Sequence, residues 1–186
     1  MVTIRHEKTT DIAAREALLD EAFGTARTAK TAERLRDGRL PADGLAFVAT
    51  ERGRVVGTVR LWHVAPGIGQ PALLLGPVAV ASTHRNRGIG AALMQRALRD
   101  ARRLGHGAVL LVGDAPYYGR FGFSAEKTGA LWLPGPYDRD RLLGHELAPG
   151  ALDGARGLVS AIGGLQPQPA LADLLRTAPN ALPQAA

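Results

Sequence analysis

Residues Val78–Leu93 read VAVASTHRNRGIGAAL. An apolar, β-branched run stops at Ala81, three polar residues follow, and Arg85, Asn86, Arg87, Gly88, Ile89 and Gly90 lead into a helical pattern. Within Gly88–Leu104 the residues Ile89, Leu93, Ala97, Ala101 and Leu104 recur at spacings of four, four, four and three, while Arg96, Arg99, Asp100 and Arg103 fall elsewhere. That period predicts an amphipathic helix ended by Gly105. On either side lie Ala72–Ala81 and Ala108–Val112, apolar enough for strands buried on both faces. Strand, helix and strand in this order make a crossover unit, normally right-handed and parallel. The chain is therefore read as α/β.

The turn itself carries chemistry. The first turn of a helix presents unpaired N–H groups and the positive end of the macrodipole, which together attract an anion. Gly88 and Gly90 let a phosphate approach the backbone, and Arg85 and Arg87 add fixed positive charge. The stretch reads as a grip for a diphosphate; on these six residues alone, a tight structural corner with solvated arginines is an equal alternative.

Working outward, Val2–Ile4 is a short opening strand and Asp11–Phe23 a helix, capped at Thr10 or Asp11 and closed by Gly24. A second helix is expected over Ala29–Asp37. Leu45–Thr50 and Val55–Val64 flank the turn Glu51-Arg52-Gly53-Arg54 as a hairpin, and Ala65–Pro71 is expected to be a loop. Downstream, Phe121-Gly122-Phe123 opens another expected strand and Leu142–Leu147 a last one. Residues 1–162 are read as one domain and 163–186 as a Pro/Ala-rich tail holding one short helical piece, Leu171–Arg176.

Composition narrows the function. A chain of 186 residues with 46% hydrophobic and 22% charged residues has the size and make-up of one globular domain. Its net charge of +6 comes from 20 arginines against 3 lysines, scattered without a basic block, which suits a phosphorylated ligand better than nucleic acid. The absence of cysteine excludes disulfides, thiolate metal sites and a cysteine acyl-enzyme. No apolar signal core or membrane-length run is present, so a cytoplasmic protein is expected. Gly67-Ile-Gly69-Gln-Pro-Ala72 imitates a dinucleotide fingerprint but opens no helix, and His6-x-x-x-x-Asp11 is better explained by a helix start. Neither a nucleophile elbow, a P-loop lysine nor a cluster of metal ligands occurs.

Taken together, LGPVAV, RNRGIG and, about thirty residues on, YYGRFGF resemble the GNAT superfamily of N-acetyltransferases, and the paired tyrosines are similar to those of its YhbS-like branch. The resemblance covers Val2–Leu147. It implies a mixed, splayed central sheet flanked by helices, with the acetyl-CoA pantetheine between the strands ending near Ala81 and Val112. It further implies that backbone groups at Val78, Ala79 and Val80 meet the pantetheine and the acetyl group. Its diphosphate would sit on Arg85, Asn86, Arg87, Gly88, Ile89, Gly90 and Ala91. Tyr118, four residues before Gly122, matches the tyrosine that protonates the leaving thiolate in many members.

The reaction so implied is direct transfer from acetyl-CoA to a primary amine of a small molecule or protein, without a metal. Many relatives carry a glutamate on the central strands, whereas Leu73–Val80 has no carboxylate. Asp114 and His63 are the candidates for a water-linked proton relay. Phe23, Trp62, Trp132 and Tyr137 are candidates for the acceptor pocket, with Leu131–Tyr137 as one wall. Related proteins often pair, so a homodimer is an open expectation. Two other classes stay in view: a catalytically silent acyl-CoA-binding sensor, and a basic nucleic-acid binder with steep salt dependence.

Overall fold

A computed structural model describes residues 1–68 and 70–167. The expected strands and helices around the Val78–Leu93 stretch are all present: β1 (Val2–His6), α1 (Ile12–Phe23), β2 (Ala46–Glu51), β3 (Arg54–Ile68), β4 (Ala72–Val80), α2 (Ile89–Arg103) and β5 (Ala108–Val112). After them come a one-turn helix α3 (Ala115–Tyr118), β6 (Leu131–Trp132), β7 (Leu142–Glu146) and β8 (Arg156–Ala161). Strands run in the order β1-β2-β3-β4-β5-β7, with β8 on the far end of β3 and β6 on β8. Neighbours are antiparallel except β4 with β5 and β6 with β8, so the sheet is mixed, and α2 is the crossover that makes β4 and β5 parallel.

The sheet splits where the resemblance implies a gap. β4 and β5 pair only through Leu73 with Val109 and Leu74 with Leu110. Beyond Leu74, β4 stays bonded to β3 through Val78, Ala79 and Val80 but leaves β5. Pro77 has no N–H to offer a partner, which suits a strand edge that is not in a ladder.

Packing holds the fork rigid. Leu93, Met94, Ala97 and Ala101 of α2 are fully buried against Phe47, Leu61, Leu73 and Val109. On the opposite face Trp62, Leu74 and Leu110 meet Leu131, Leu142 and Val159. Helix α1 sets Leu18 and Leu19 on Ala79. Ahead of α1, the Asp11 carboxylate accepts the Lys8 N–H at 2.8 Å and two Arg5 guanidinium N–H groups at 2.6 and 2.9 Å. Asp11 thus stands at the expected N-cap position of α1, but its carboxylate closes the preceding 3-10 turn Thr9–Asp11 and makes no cap bond to α1 itself.

Three local expectations are corrected, and one strand pair was not foreseen. Ala29–Asp37 is not an α-helix but follows two 3-10 turns, Thr25–Ala29 and Thr31–Leu35. Ala29–Asp37 has Leu35 as its one large apolar residue and so no apolar stripe to drive a helix, and the segment is tied instead to the Pro134–Pro136 loop. Thr31 Oγ1 donates to the Pro136 carbonyl and Arg34 Nη1 to the Pro134 carbonyl at 2.8 Å. The expected loop Ala65–Pro71 is strand as far as Ile68, because β8 supplies a partner; a Cβ on Gly67 would stand 2.0 Å from the Arg156 carbonyl oxygen, so only glycine lets the two strands meet. β8 itself, with β6, was not foreseen, since neither segment shows a clear period. Phe121–Phe123 is not a strand: Phe121 ends the 3-10 turn Gly119–Phe121, and a single bridge, Ser124 to Gly144, follows.

Of the expected tail, residues 163–167 run beside Gly38–Leu40: Leu40 N–H donates to Gly164 and Gln166 N–H to Gly38. The short helical piece expected at Leu171–Arg176 lies outside the described residues. No described helix is long and apolar enough to cross a membrane.

Candidate active site

Where β4 and β5 part, they leave a cleft of about 700 Å³. Its walls include Val78 and Val80 from β4, Leu111–Asp114 from the end of β5, Gly90 from α2, and Tyr117 and Tyr118. Along an antiparallel pair, alternate residues direct their N–H and C=O groups away from the partner strand. Half of the β4 backbone between Pro77 and Val80 therefore faces the cleft rather than β3.

One end of the cleft is the helix mouth. Gly88 is the N-cap of α2 with φ 74°, a left-handed conformation open to glycine, and Asn86 has φ 60°. No side chain caps the first turn, so its N–H groups stay available. A Cβ built on Gly90 would lie 3.3 Å from the Tyr117 hydroxyl and 3.6 Å from Val80, which puts the helix mouth, β4 and the tyrosine segment side by side. Arg85 and Asn86 are exposed, Ile89 is buried in the core and Gly90 and Ala91 are half-buried. Ile89 can offer only backbone. Arg87 departs from the expectation: its guanidinium is held by Glu51 at 2.8 Å, and His84 joins the same carboxylate at 3.0 Å. The Arg87 bond, reinforced by His84, lowers the Glu51 carboxyl to about 2. Arg87 thus ties the turn to the β2–β3 hairpin, where the charge in Glu51-Arg52-Gly53-Arg54 was the available signal.

Tyr118 is positioned by its neighbours. Its ring lies on Gly113, where a Cβ would stand 2.2 Å from Cε2, and it packs edge-on against Tyr117 and Phe123 with centroids 4.9 and 6.2 Å away. Burial pushes the phenol upward from its ordinary value, Tyr117 and Asp114 push the same way, and Arg141 opposes them. At neutral pH the hydroxyl keeps its proton.

Asp114 also lines the cleft, but its carboxylate is 70% exposed and paired with Arg141 at 3.2 Å. Its carbonyl accepts the Tyr117 and Tyr118 N–H groups and so starts α3. His63 is not brought to the cleft. It pairs in register with Leu73, at the joined end of the fork, and meets His106 at a tilt of 50° with centroids 5.4 Å apart. The expected relay through His63 is thereby corrected: a strand position opposite Leu73 cannot reach the open end. Ala79 packs its side chain under α1 and can offer only backbone.

The acceptor aromatics divide. Phe23 and Tyr137 line the cleft. Trp62 is buried, donates its indole N–H to the Gly76 carbonyl at 2.9 Å and lines a second cavity of about 170 Å³ next door. Trp132 is half exposed, stacked under Arg139 at 3.9 Å, and outside the cleft. Sequence reasoning missed Glu33, Arg36 and Arg141, which also line the cleft, because the first two were assigned to an ordinary helix. Among the described residues no group of three or more His, Asp or Glu gathers as a metal site would require.

Comparison with known proteins agrees with this geometry. Residues 3–125 match the family described as acetyltransferase (GNAT) domain. The uncharacterized N-acetyltransferase YhbS of Escherichia coli K12 is 33% identical over 159 residues, spanning 84% of this chain and 93% of the relative. The crystal structure of E. coli YhbS in complex with CoA superposes with a TM-score of 0.73 at 32% identity, covering 87% of this chain and 89% of that one. A GNAT family acetyltransferase from Brucella melitensis, in complex with acetyl-CoA, gives 0.64 at 26% identity, covering 87% and 96%. With the family match over residues 3–125 and a relative 33% identical across 84% of its length, this chain belongs to the GNAT acetyltransferases.

Proposed function

We propose that this protein transfers the acetyl group of acetyl-CoA directly to a primary amine, with Tyr118 as the proton donor to the departing thiolate. The observation that carries the reading is the single cleft holding the free edge of β4, the uncapped first turn of α2 and the Tyr118 ring. The N–H groups at the start of α2, with Arg85, receive the diphosphate. Backbone groups over Val78–Val80 receive the pantetheine and polarise the acetyl carbonyl as negative charge develops on its oxygen. The neutral amine attacks that carbonyl, a C–N bond forms and the C–S bond breaks. The Tyr118 hydroxyl gives its proton to the sulfur, and the proton lost by the amine returns to the phenol through water. Asp114 stands at the cleft wall as a relay residue for that return.

Calorimetric titration with acetyl-CoA, followed by thiol release against a panel of amines, tests the proposal. Wild type binds, and Arg85→Glu, an exposed change, weakens binding about tenfold or more. Gly88→Glu places a carboxylate on the helix mouth and abolishes it. Absence of binding by wild type overturns the proposal, and binding without turnover of any amine converts it to an acyl-CoA sensor.

A further inference from the structure

The cleft contains a buried guanidinium that the chain leaves half used. Arg36 follows the 3-10 turn Thr31–Leu35, and its side chain is 10% exposed. Its Nη1 donates to Glu33 at 3.1 Å, while its Nε is buried and has no partner among the described residues. The surrounding arginines are differently placed: Arg15 is paired with Glu7 and Glu16, Arg27 with Glu16 and Asp20, and Arg60 with Glu7. Burial pushes the Arg36 guanidinium downward from its ordinary value, with Arg27 adding to that and Glu33 opposing it, the sign of a cation short of counter-charge. A buried donor left unpaired costs stability, so its persistence in a cleft calls for a ligand.

Position says which ligand. A Cβ on Gly76 would lie 3.6 Å from Arg36 Nη2, and Trp62 holds the Gly76 carbonyl in place. Gly76 is two residues before Val78, about 6.6 Å along the strand, on the side away from the helix mouth at Val80 and Gly90. The few bonds between the amine and carboxylate of an amino acid, plus one hydrogen bond of about 2.9 Å, span that length. Nη2, beside Gly76 and outside the Glu33 bond, offers its N–H groups to a carboxylate oxygen.

We infer that Arg36 is the specificity-determining residue for an acceptor that carries a carboxylate beside its amine, a free amino acid rather than a peptide or simple amine. The inference rests on the transferase reading above. The test measures acetyl transfer to the twenty L-amino acids, each beside its uncharged carboxamide, with wild type, Arg36→Lys and Arg36→Met, after calorimetry has established acetyl-CoA binding for each. In wild type the best acid exceeds its amide by about 30-fold in kcat/KM. In Arg36→Met that ratio falls to about 1 while amide turnover holds within about threefold, and Arg36→Lys keeps part of the preference. Amides used as well as acids by wild type overturn the inference, as does equal loss for acids and amides in Arg36→Met, which marks a structural role. Acetyl-CoA binding with no turnover of any acid overturns it too; failure to bind acetyl-CoA removes the transferase reading itself. Should Arg36→Met not fold, Arg36→Lys carries the comparison.

Discussion

Gly113→Ala is the sharpest perturbation of the proposed chemistry, because it moves the Tyr118 hydroxyl without removing it. Gly113 has no positive φ, so alanine fits its backbone, yet the added Cβ would stand 2.2 Å from Tyr118 Cε2 and 2.6 Å from Cδ2. Carbon atoms in contact settle at about 3.5 Å, so the ring must retreat by about 1 Å. The ring also packs edge-on against Phe123, which is 3% exposed and part of the core under α2, and this limits its room to move. Displacing a catalytic group by that much costs about 100-fold in rate, close to deleting a general acid, which costs about 100-fold to 10,000-fold.

The assay compares kcat for wild type, Gly113→Ala and Tyr118→Phe, with acetyl-CoA affinity and melting temperature measured alongside. Gly113→Ala should lower kcat about 100-fold with acetyl-CoA affinity nearly unchanged, since the helix mouth is untouched. Tyr118→Phe should lose at least as much and flatten the alkaline limb of the rate profile, because the phenol is held above its ordinary value and loses its proton only at high pH. If Gly113→Ala folds and keeps kcat within threefold of wild type, the Tyr118 hydroxyl does not act where the structure puts it.

Three further outcomes follow from the same structure. Trp132→Ala leaves acceptor KM unchanged, since that ring lies outside the cleft under Arg139, whereas Tyr137→Ala raises it severalfold, as steady-state kinetics on any accepted amine will show. Leu93→Ala, in the fully buried seam of α2, lowers stability by about 2–5 kcal/mol in urea denaturation. Asp11→Asn costs about 2 kcal/mol at neutral pH. Asp11 is lowered from 3.8 to about 2 by its Arg5 bonds, so its contribution is complete above pH 3.8 and fades as pH falls through about 2; in urea melts against pH the wild type and Asp11→Asn curves should converge there.

What could be read from the residues follows physical range. Everything local to the crossover was legible: the α2 period, the uncapped Gly88 mouth, the apolar β4 and β5 and the tyrosine segment each depend on neighbours a few residues away. β8 could not be read in this way, because Arg156–Ala161 becomes a strand only through β3, and the same pairing carries β3 through Pro66 and Gly67 to Ile68. Arg87 shows the limit for charge. Two arginines flank the turn, but only the fold reveals that Glu51, across the hairpin, occupies one of them.

The acceptor end was the least legible for the same reason. Thr25–Leu35 carries too many threonines for an α-helix and too few apolar residues to declare a face, so its conformation is decided by the Pro134–Pro136 loop about a hundred residues away. Once tied there, it delivers Glu33 and Arg36 to the side of β4 opposite the helix mouth. The two ends of the cleft therefore answer to different parts of the sequence. The proposed phosphate end is written in one contiguous turn. The proposed amine end is assembled from a 3-10 segment, the end of β5 and a distant loop, so on that proposal substitutions in any of the three change the acceptor without touching the helix mouth.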